Sequence, residues 1–143
     1  MGLFEALDAS GSALSAERVR MDVTAENLAN AQSTRTANGQ GPYRRKEVVM
    51  QEASAGVGPN FADSLQAARG VKVAGIVQDP TPSRRVYDPG HPDADKQGYV
   101  LMPNVNTVTE MTDLIGASRA YEANVTAMQT TKAMFARTLD LLK

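Results

Sequence analysis

The sequence predicts a mainly α fold with a small β insertion. Two long helices, at the N- and C-termini, should pack as a coiled-coil-like pair around an extended or β-hairpin middle segment. Apolar residues recur every seven positions near both ends, a spacing that keeps one face of a helix against a partner. Between these stripes, four prolines within residues 79–98 exclude a continuous helix. We call these two apolar stripes the first rows of the helices. Their residues are Leu7, Leu14, Met21 and Leu28 near the N-terminus, and Leu114, Tyr121, Met128, Phe135 and Leu142 near the C-terminus.

The N-terminal helix is predicted from about Leu3 to Asn30. Glu5 and Asp8 lie near its start, where carboxylates complement the helix dipole. Gly11 costs about 1 kcal/mol relative to Ala in a helix interior, and the surrounding stretch is rich in small residues. We therefore expect this helix to be marginal on its own. The polar segment 31–41 then forms a loop.

The middle segment contains short stretches with strand character. We predict strands at Tyr43–Met50 and Val71–Val77, a short edge strand at Arg84–Tyr87 and an extended run from Tyr99. For Phe61–Gly70, a helical turn and an ordered loop both remain open.

The C-terminal helix is predicted from Thr107 to about Leu142. Thr107 and Glu110 have the spacing of a capping box, in which the two side chains satisfy free backbone N–H groups. A companion seven-residue row is less regular, because two of its five positions are polar. This row reads Met111, Ser118, Val125, Lys132 and Leu139.

Two packing arrangements are compatible with these stripes. The helices can pair within one chain, as an ordinary helical hairpin with a β insertion, or with neighbouring copies. The pattern alone favours the hairpin, because such stripes usually face an internal core. In domain terms, residues 1–36 with 106–143 should form one helical core domain, and residues 37–105 a β-rich or extended middle segment.

Composition excludes several classes of function. The absence of cysteine rules out disulfides and thiolate metal sites, and a net charge of −1 gives no general attraction to nucleic acid. The single histidine, His91, lies beside Asp93 and Asp95, but a polar proline turn is favoured over a metal site. No catalytic or nucleotide-binding motif occurs. We expect no enzyme activity, cofactor, small-molecule substrate, Sec-type signal or membrane-embedded segment.

Several motifs, in order along the chain, resemble one known family. The stretch AENLANAQSTRT (25–36) is similar to the signature of bacterial flagellar rod and hook proteins. The stretch from Pro103 to Leu142 resembles their C-terminal helix, and residues 41–50 and 70–106 resemble a proximal rod protein of that family. The motif residues are Asn27, Leu28, Ala29, Asn30, Thr34, Pro103, Asn104, Val105, Glu110, Met111, Arg119, Ala120 and Tyr121.

The resemblance implies a structural subunit of the flagellar rod in the periplasm. It implies assembly with copies of itself and other rod proteins, contact with the MS-ring and its adaptor at the rod base, and passage through the flagellar type III export apparatus without a cleaved signal. The stripe residues would then form an assembly seam, with Met111, Val125 and Leu139 from the companion row. The alternative is a soluble helical-hairpin adaptor, or an export-chaperone-like binding module, that never polymerises.

Overall fold

The structure is a computed structural model that describes residues 3–36, 41–54 and 68–140. Within these ranges the chain forms a helix at each end and four strands between them, so the predicted mainly α fold with a small β insertion is confirmed. The elements are α1 (Leu3–Ala29), β1 (Lys46–Ser54), β2 (Ala68–Gln78), β3 (Arg84–Tyr87), β4 (Tyr99–Met102) and α2 (Thr107–Asp140).

The two helices pack against each other in antiparallel directions. The end of α1 meets the start of α2, where Asn27 contacts Glu110. Nearer the other end of the pair, a Cβ placed on Gly11 would lie 3.7 Å from Cε of Met128. At about 1.5 Å per residue, α1 is about 40 Å long and α2 about 51 Å. α1 runs unbroken through Gly11, so packing outweighs the low helix propensity of this stretch.

The strands form two separate antiparallel hairpins. β1 pairs with β2, and a bulge at Ala74 shifts the register between Val49 and Met50. β3 pairs with β4. The short edge strand predicted at Arg84–Tyr87 is β3. β1 begins at Lys46, three residues later than predicted, because the side chains of Tyr43 and Arg45 hydrogen-bond to the helices. Most of the stretch 61–70 lies outside the described residues.

Among the residues that the structure describes, the buried apolar core is made largely of small side chains. Ala31, Tyr43 and Val105 form a cluster where the end of α1 meets the start of α2. Three polar residues, Thr24, Asn27 and Glu110, are as deeply buried as the apolar ones. Polar contacts therefore carry much of the specificity of this fold. The buried apolar residues are Ala16, Val23, Ala31, Tyr43, Val100, Val105 and Ala117.

The start of α2 differs from the sequence prediction. Asn106 is the N-cap residue, since its Oδ1 accepts hydrogen bonds from the backbone N–H of Val108 at 3.0 Å and of Thr109 at 3.4 Å. The predicted capping box of Thr107 and Glu110 is wrong. The Glu110 carboxylate turns towards α1 instead, because buried amide and guanidinium donors are available to it there.

The first hairpin lies directly against α1 at Gly70. This glycine has a φ of 122°, and a Cβ here would overlap Oγ of Ser12 and lie 3.6 Å from Cα of Ala9. Ser12 Oγ also accepts a hydrogen bond from the Val71 N–H at 3.1 Å. Glycine is thus required for both its backbone conformation and the close approach of strand to helix.

Replacing Gly70 with Ala should destabilise the fold by about 2 kcal/mol or more, because a φ of 122° strains an alanine and the Ser12 side chain must leave its hydrogen bond with the Val71 N–H. Denaturant unfolding followed by circular dichroism measures this loss. Gly75→Ala is the matched control, since no atom lies within 4 Å of a Cβ at that position in the same strand. Equal stability of the two variants would contradict the argument.

Candidate assembly site

Asn27 lies at the centre of the polar contacts between the two helices and β1. Its side-chain nitrogen donates to the Lys46 carbonyl at 2.8 Å and to Glu110 Oε2 at 2.9 Å. Its side-chain oxygen accepts from the Tyr43 hydroxyl and the Lys46 N–H, both at 2.9 Å. All four hydrogen-bonding positions of this amide are therefore satisfied although it is only 1% exposed.

Glu110 is the charged member of this group and is equally buried. Its second oxygen, Oε1, accepts from Arg45 Nε at 2.7 Å. This hydrogen bond is the main reason that the pKa of Arg45 is raised above its ordinary value. The carboxylates of Glu47, Asp79 and Asp113 lie 3.7–3.8 Å from the same guanidinium. One arginine therefore joins α2 to β1 and to the residue that follows β2.

Tyr43 and Lys46 complete the group on the α1 side. Burial raises the pKa of the Tyr43 hydroxyl to about 12, with further contributions from the negative charges of Glu26 and Glu110. The Lys46 ammonium pairs with Glu26 of α1 and lies 5.7 Å from the Tyr43 ring centre. Arg45 and Lys46 thus both pair with carboxylates of their own chain.

Asn104 extends these contacts to the connection between β4 and α2. Its Oδ1 accepts from the Arg45 N–H at 2.8 Å, and its Nδ2 donates to the Thr81 carbonyl at 3.1 Å. Pro103 and Val105 on either side are buried. We call Asn27, Tyr43, Arg45, Asn104 and Glu110 the polar junction. Together they connect the end of α1, the residues before β1, the segment between β4 and α2, and the first turn of α2.

A second polar contact holds the loop that follows α1. The Thr34 hydroxyl donates to Asp93 Oδ2 at 2.7 Å, and Arg35 forms an ion pair with the same carboxylate. These contacts, led by the Thr34 hydrogen bond, lower the pKa of Asp93. His91 Nδ1 accepts from the Asp93 N–H at 3.1 Å, which gives His91 a role in the turn. Across the described ranges, no three His, Asp or Glu residues converge in a way that would hold a metal ion.

The seven-residue rows lie on the helix pair as follows. Of the first row, Phe135 is exposed, Leu142 lies outside the described residues and the others are half-buried. In the companion row, Val125 is half-buried while Met111 and Leu139 are exposed. The row one position before the companion row begins with two buried residues and continues with two half-buried ones, and its members are largely polar. This inner row is Glu110, Ala117, Asn124 and Thr131.

The other family-motif residues divide into buried and exposed groups. Asn30 caps the end of α1, since its Nδ2 donates to the Glu26 carbonyl and its Oδ1 accepts from Ser33. Leu28, Ala120 and Tyr121 are half-buried, whereas Ala29 and Arg119 are exposed. The motif therefore supplies Asn27, Asn104 and Glu110 to the polar junction, but it does not contain Tyr43 or Arg45. Both lie inside the predicted strand Tyr43–Met50, and that strand pattern gave no sign of these contacts.

Neither described helix combines the length and the apolar composition needed to cross a membrane. α2 is long enough, but its polar side chains, including Lys132 and Arg137, recur along its whole length.

Replacing Tyr43 with Phe should cost about 1 kcal/mol near neutral pH, because Asn27 loses one hydrogen bond. The folded pKa of Tyr43 is raised, so the stability linked to it is fully present below pH 10, the ordinary value for tyrosine. It is lost as the pH rises towards 12. The gap in unfolding free energy between wild type and variant should therefore narrow between pH 10 and pH 12.

Tyr87→Phe provides the control for this comparison, since Tyr87 is exposed on β3. Its unfolding free energy should follow that of the wild type across the same pH range. A Tyr43→Phe gap that stays constant with pH would show that the hydroxyl is not held in its neutral form by burial.

Comparison with known proteins identifies the family. Residues 7–35 match the family model described as flagella basal body rod protein, and residues 96–141 match that of the flagellar basal body rod FlgEFG protein C-terminal. The chain is 48% identical to the flagellar basal-body rod protein FlgC of Yersinia enterocolitica, covering 99% of this chain and 98% of the relative. Identity to FlgC of Bacillus subtilis is 45%, and to FlgC of Borreliella burgdorferi 43%. The Bacillus subtilis comparison covers 100% of both chains. The Borreliella burgdorferi comparison covers 100% of this chain and 99% of the relative.

These matches favour the rod interpretation over a soluble adaptor and indicate a structural protein that assembles with other rod components, not an enzyme. The chain belongs to the FlgC family of flagellar basal-body rod proteins and is a structural subunit of that rod.

Proposed function

We propose that this subunit joins copies of itself and neighbouring rod proteins mainly through the outward face of α2. The resulting helical shaft would transmit torque and enclose the export channel. Residues 1–36 and 106–143 would form its helical wall, and residues 37–105 would brace adjacent subunits. The observation that carries this proposal is an exposed apolar row at the start of α2.

The apolar row consists of Val108, Met111 and Ile115. Their spacings of three and four residues put them on one face of the helix. They are 71%, 53% and 54% exposed, although each is a large aliphatic side chain. Fully burying such a side chain contributes about 1.5–3 kcal/mol. A neighbouring subunit that covers this row would therefore gain substantial binding free energy.

The distal part of α2 supports the same conclusion. Every residue from Lys132 to Asp140 is exposed, and these residues include Met134 and Leu139. A helical segment with so little tertiary cover is marginal in water. Neighbouring subunits would supply the missing contacts, and the exposed members of the predicted assembly seam, Met111, Phe135 and Leu139, would then be buried between chains.

The total surface is also large for the mass. The chain exposes 10082 Å² of accessible surface, whereas a compact monomer of 15.3 kDa exposes about 7,100 Å². Such a surface suits a subunit that completes its packing on assembly.

We propose further that the MS-ring and its adaptor contact this subunit at the rod base, and that the chain reaches the rod through the flagellar type III export apparatus. The small buried core supports the second point. Within the described residues, few large apolar side chains are buried. A fold with so little buried apolar surface is of modest stability, and so the chain would pass unfolded through a narrow channel at low energetic cost.

Ile115→Asp should abolish motility and leave the subunit absent from detergent-washed basal bodies, because the charge would be buried at an interface between subunits. The purified variant should unfold within about 0.5 kcal/mol of the wild type, since Ile115 is exposed in the single chain. Motility in soft agar, immunoblots of basal bodies and denaturant unfolding measure these outcomes.

Thr109→Asp is the control, because it puts the same charge on an exposed position of the first turn, outside the apolar row. It should assemble normally. Normal rods with Ile115→Asp, or equal defects in both variants, would contradict the role assigned to this row.

A further inference from the structure

The apolar seam between α1 and α2 does not by itself define how the helices align. Both first rows repeat every seven residues, as Leu7, Leu14, Met21 and Leu28 on α1 and their counterparts on α2 do. Sliding one helix by seven residues, about 10.5 Å, brings apolar side chains opposite apolar side chains again. The seam is therefore compatible with more than one register.

The contact between Asn27 and Glu110 does not tolerate such a slide. In the observed register the two side chains meet at 2.9 Å, and Arg45 binds the other carboxylate oxygen at 2.7 Å. A slide in one direction puts Ala117 opposite Asn27 and carries Glu110 past Ala29, the last residue of α1. A slide in the other direction takes Glu110 towards Arg20 and leaves Asn27 without a partner on α2.

Either slide leaves a buried polar group without its partner, which is costly in a low-dielectric interior. From these contacts we propose that Glu110 is a register-determining residue. It selects one alignment of two helices whose apolar rows permit several, and it does this by its pairing with Asn27 and Arg45. The inference concerns the single chain and does not depend on the proposed docking face of α2.

Asn124 provides an internal comparison for this role. It occupies the same inner row as Glu110, two heptads further along α2, and it is half-buried. Its side-chain nitrogen donates at 2.9 Å to the Ala120 carbonyl of its own helix. A polar residue that bonds within its own helix carries no information about the position of α1, so Asn124 should not influence register.

The test compares Glu110→Leu, Glu110→Gln and Asn124→Leu with the wild type. Arg45 keeps the carboxylates of Glu47, Asp79 and Asp113 within 3.8 Å when Glu110 is replaced, so the helix pair should persist in both leucine variants. The chain contains no cysteine, which allows introduced cysteine pairs to report the register. Gly11→Cys with Met128→Cys reports the observed alignment. Gly11→Cys with Tyr121→Cys or Phe135→Cys reports a slide of one heptad in either direction.

Disulfide formation is measured on non-reducing gels, with the purified full-length chain and with the chain in detergent-washed basal bodies. Helix content is followed by circular dichroism. We expect the wild type and Asn124→Leu to cross-link at least ten times more at 11–128 than at either slipped pair. Glu110→Gln keeps one acceptor oxygen for two donors, so its preference for 11–128 should be weaker than that of the wild type. Glu110→Leu should keep its helix content but cross-link at a slipped pair within about threefold of the 11–128 yield.

Three results would overturn the proposal. The first is a Glu110→Leu chain as selective for 11–128 as the wild type. The second is loss of helix content in Glu110→Leu, which would make Glu110 a stability element rather than a register determinant. The third is absence of the 11–128 cross-link from the wild type in both the purified chain and basal bodies.

Discussion

The buried carboxylate of Glu110 is the constraint on which the arrangement of the chain depends. A buried negative charge is tolerated only when its oxygens are paired, and here the partners come from distant parts of the sequence. Asn27 lies on α1, and Arg45 is the residue immediately before β1. Arg45 is fixed in turn by Asn104 just before α2. Satisfying one charge therefore positions both helices, the first hairpin and the connection into α2.

Among the described residues, the buried side chains are mostly small or polar. The buried apolar side chains include three alanines, while Val108, Met111 and Ile115 face solvent. This distribution separates two tasks. Polar contacts of defined geometry align the elements of one chain, and the large aliphatic groups remain available for contacts between chains, where the free energy of burial favours assembly.

Sequence patterns predicted the elements well but not the residues that join them. The heptad rows predicted both helices, and the predicted strands at Val71–Val77 and Arg84–Tyr87 lie in β2 and β3, because these features act locally. The polar junction is non-local: Asn27 and Glu110 are 83 positions apart, and Arg45 reads only as part of a basic strand. The capping-box prediction for Glu110 failed because a carboxylate bonds to the helix N-terminus only when no stronger partner lies within reach. Here Asn27 and Arg45 are those partners.

The separation of polar internal contacts from apolar external ones also answers a problem of assembly. When many copies with the same heptad rows are packed together, an apolar seam cannot distinguish a helix of its own chain from one of a neighbour. The Asn27–Glu110 contact can, because it requires Arg45 and Tyr43 to be tethered beside it by the same chain. Covalent connection brings these groups together at high effective concentration. A subunit aligned in this way presents the same outward face to every neighbour, as a regular helical shaft requires.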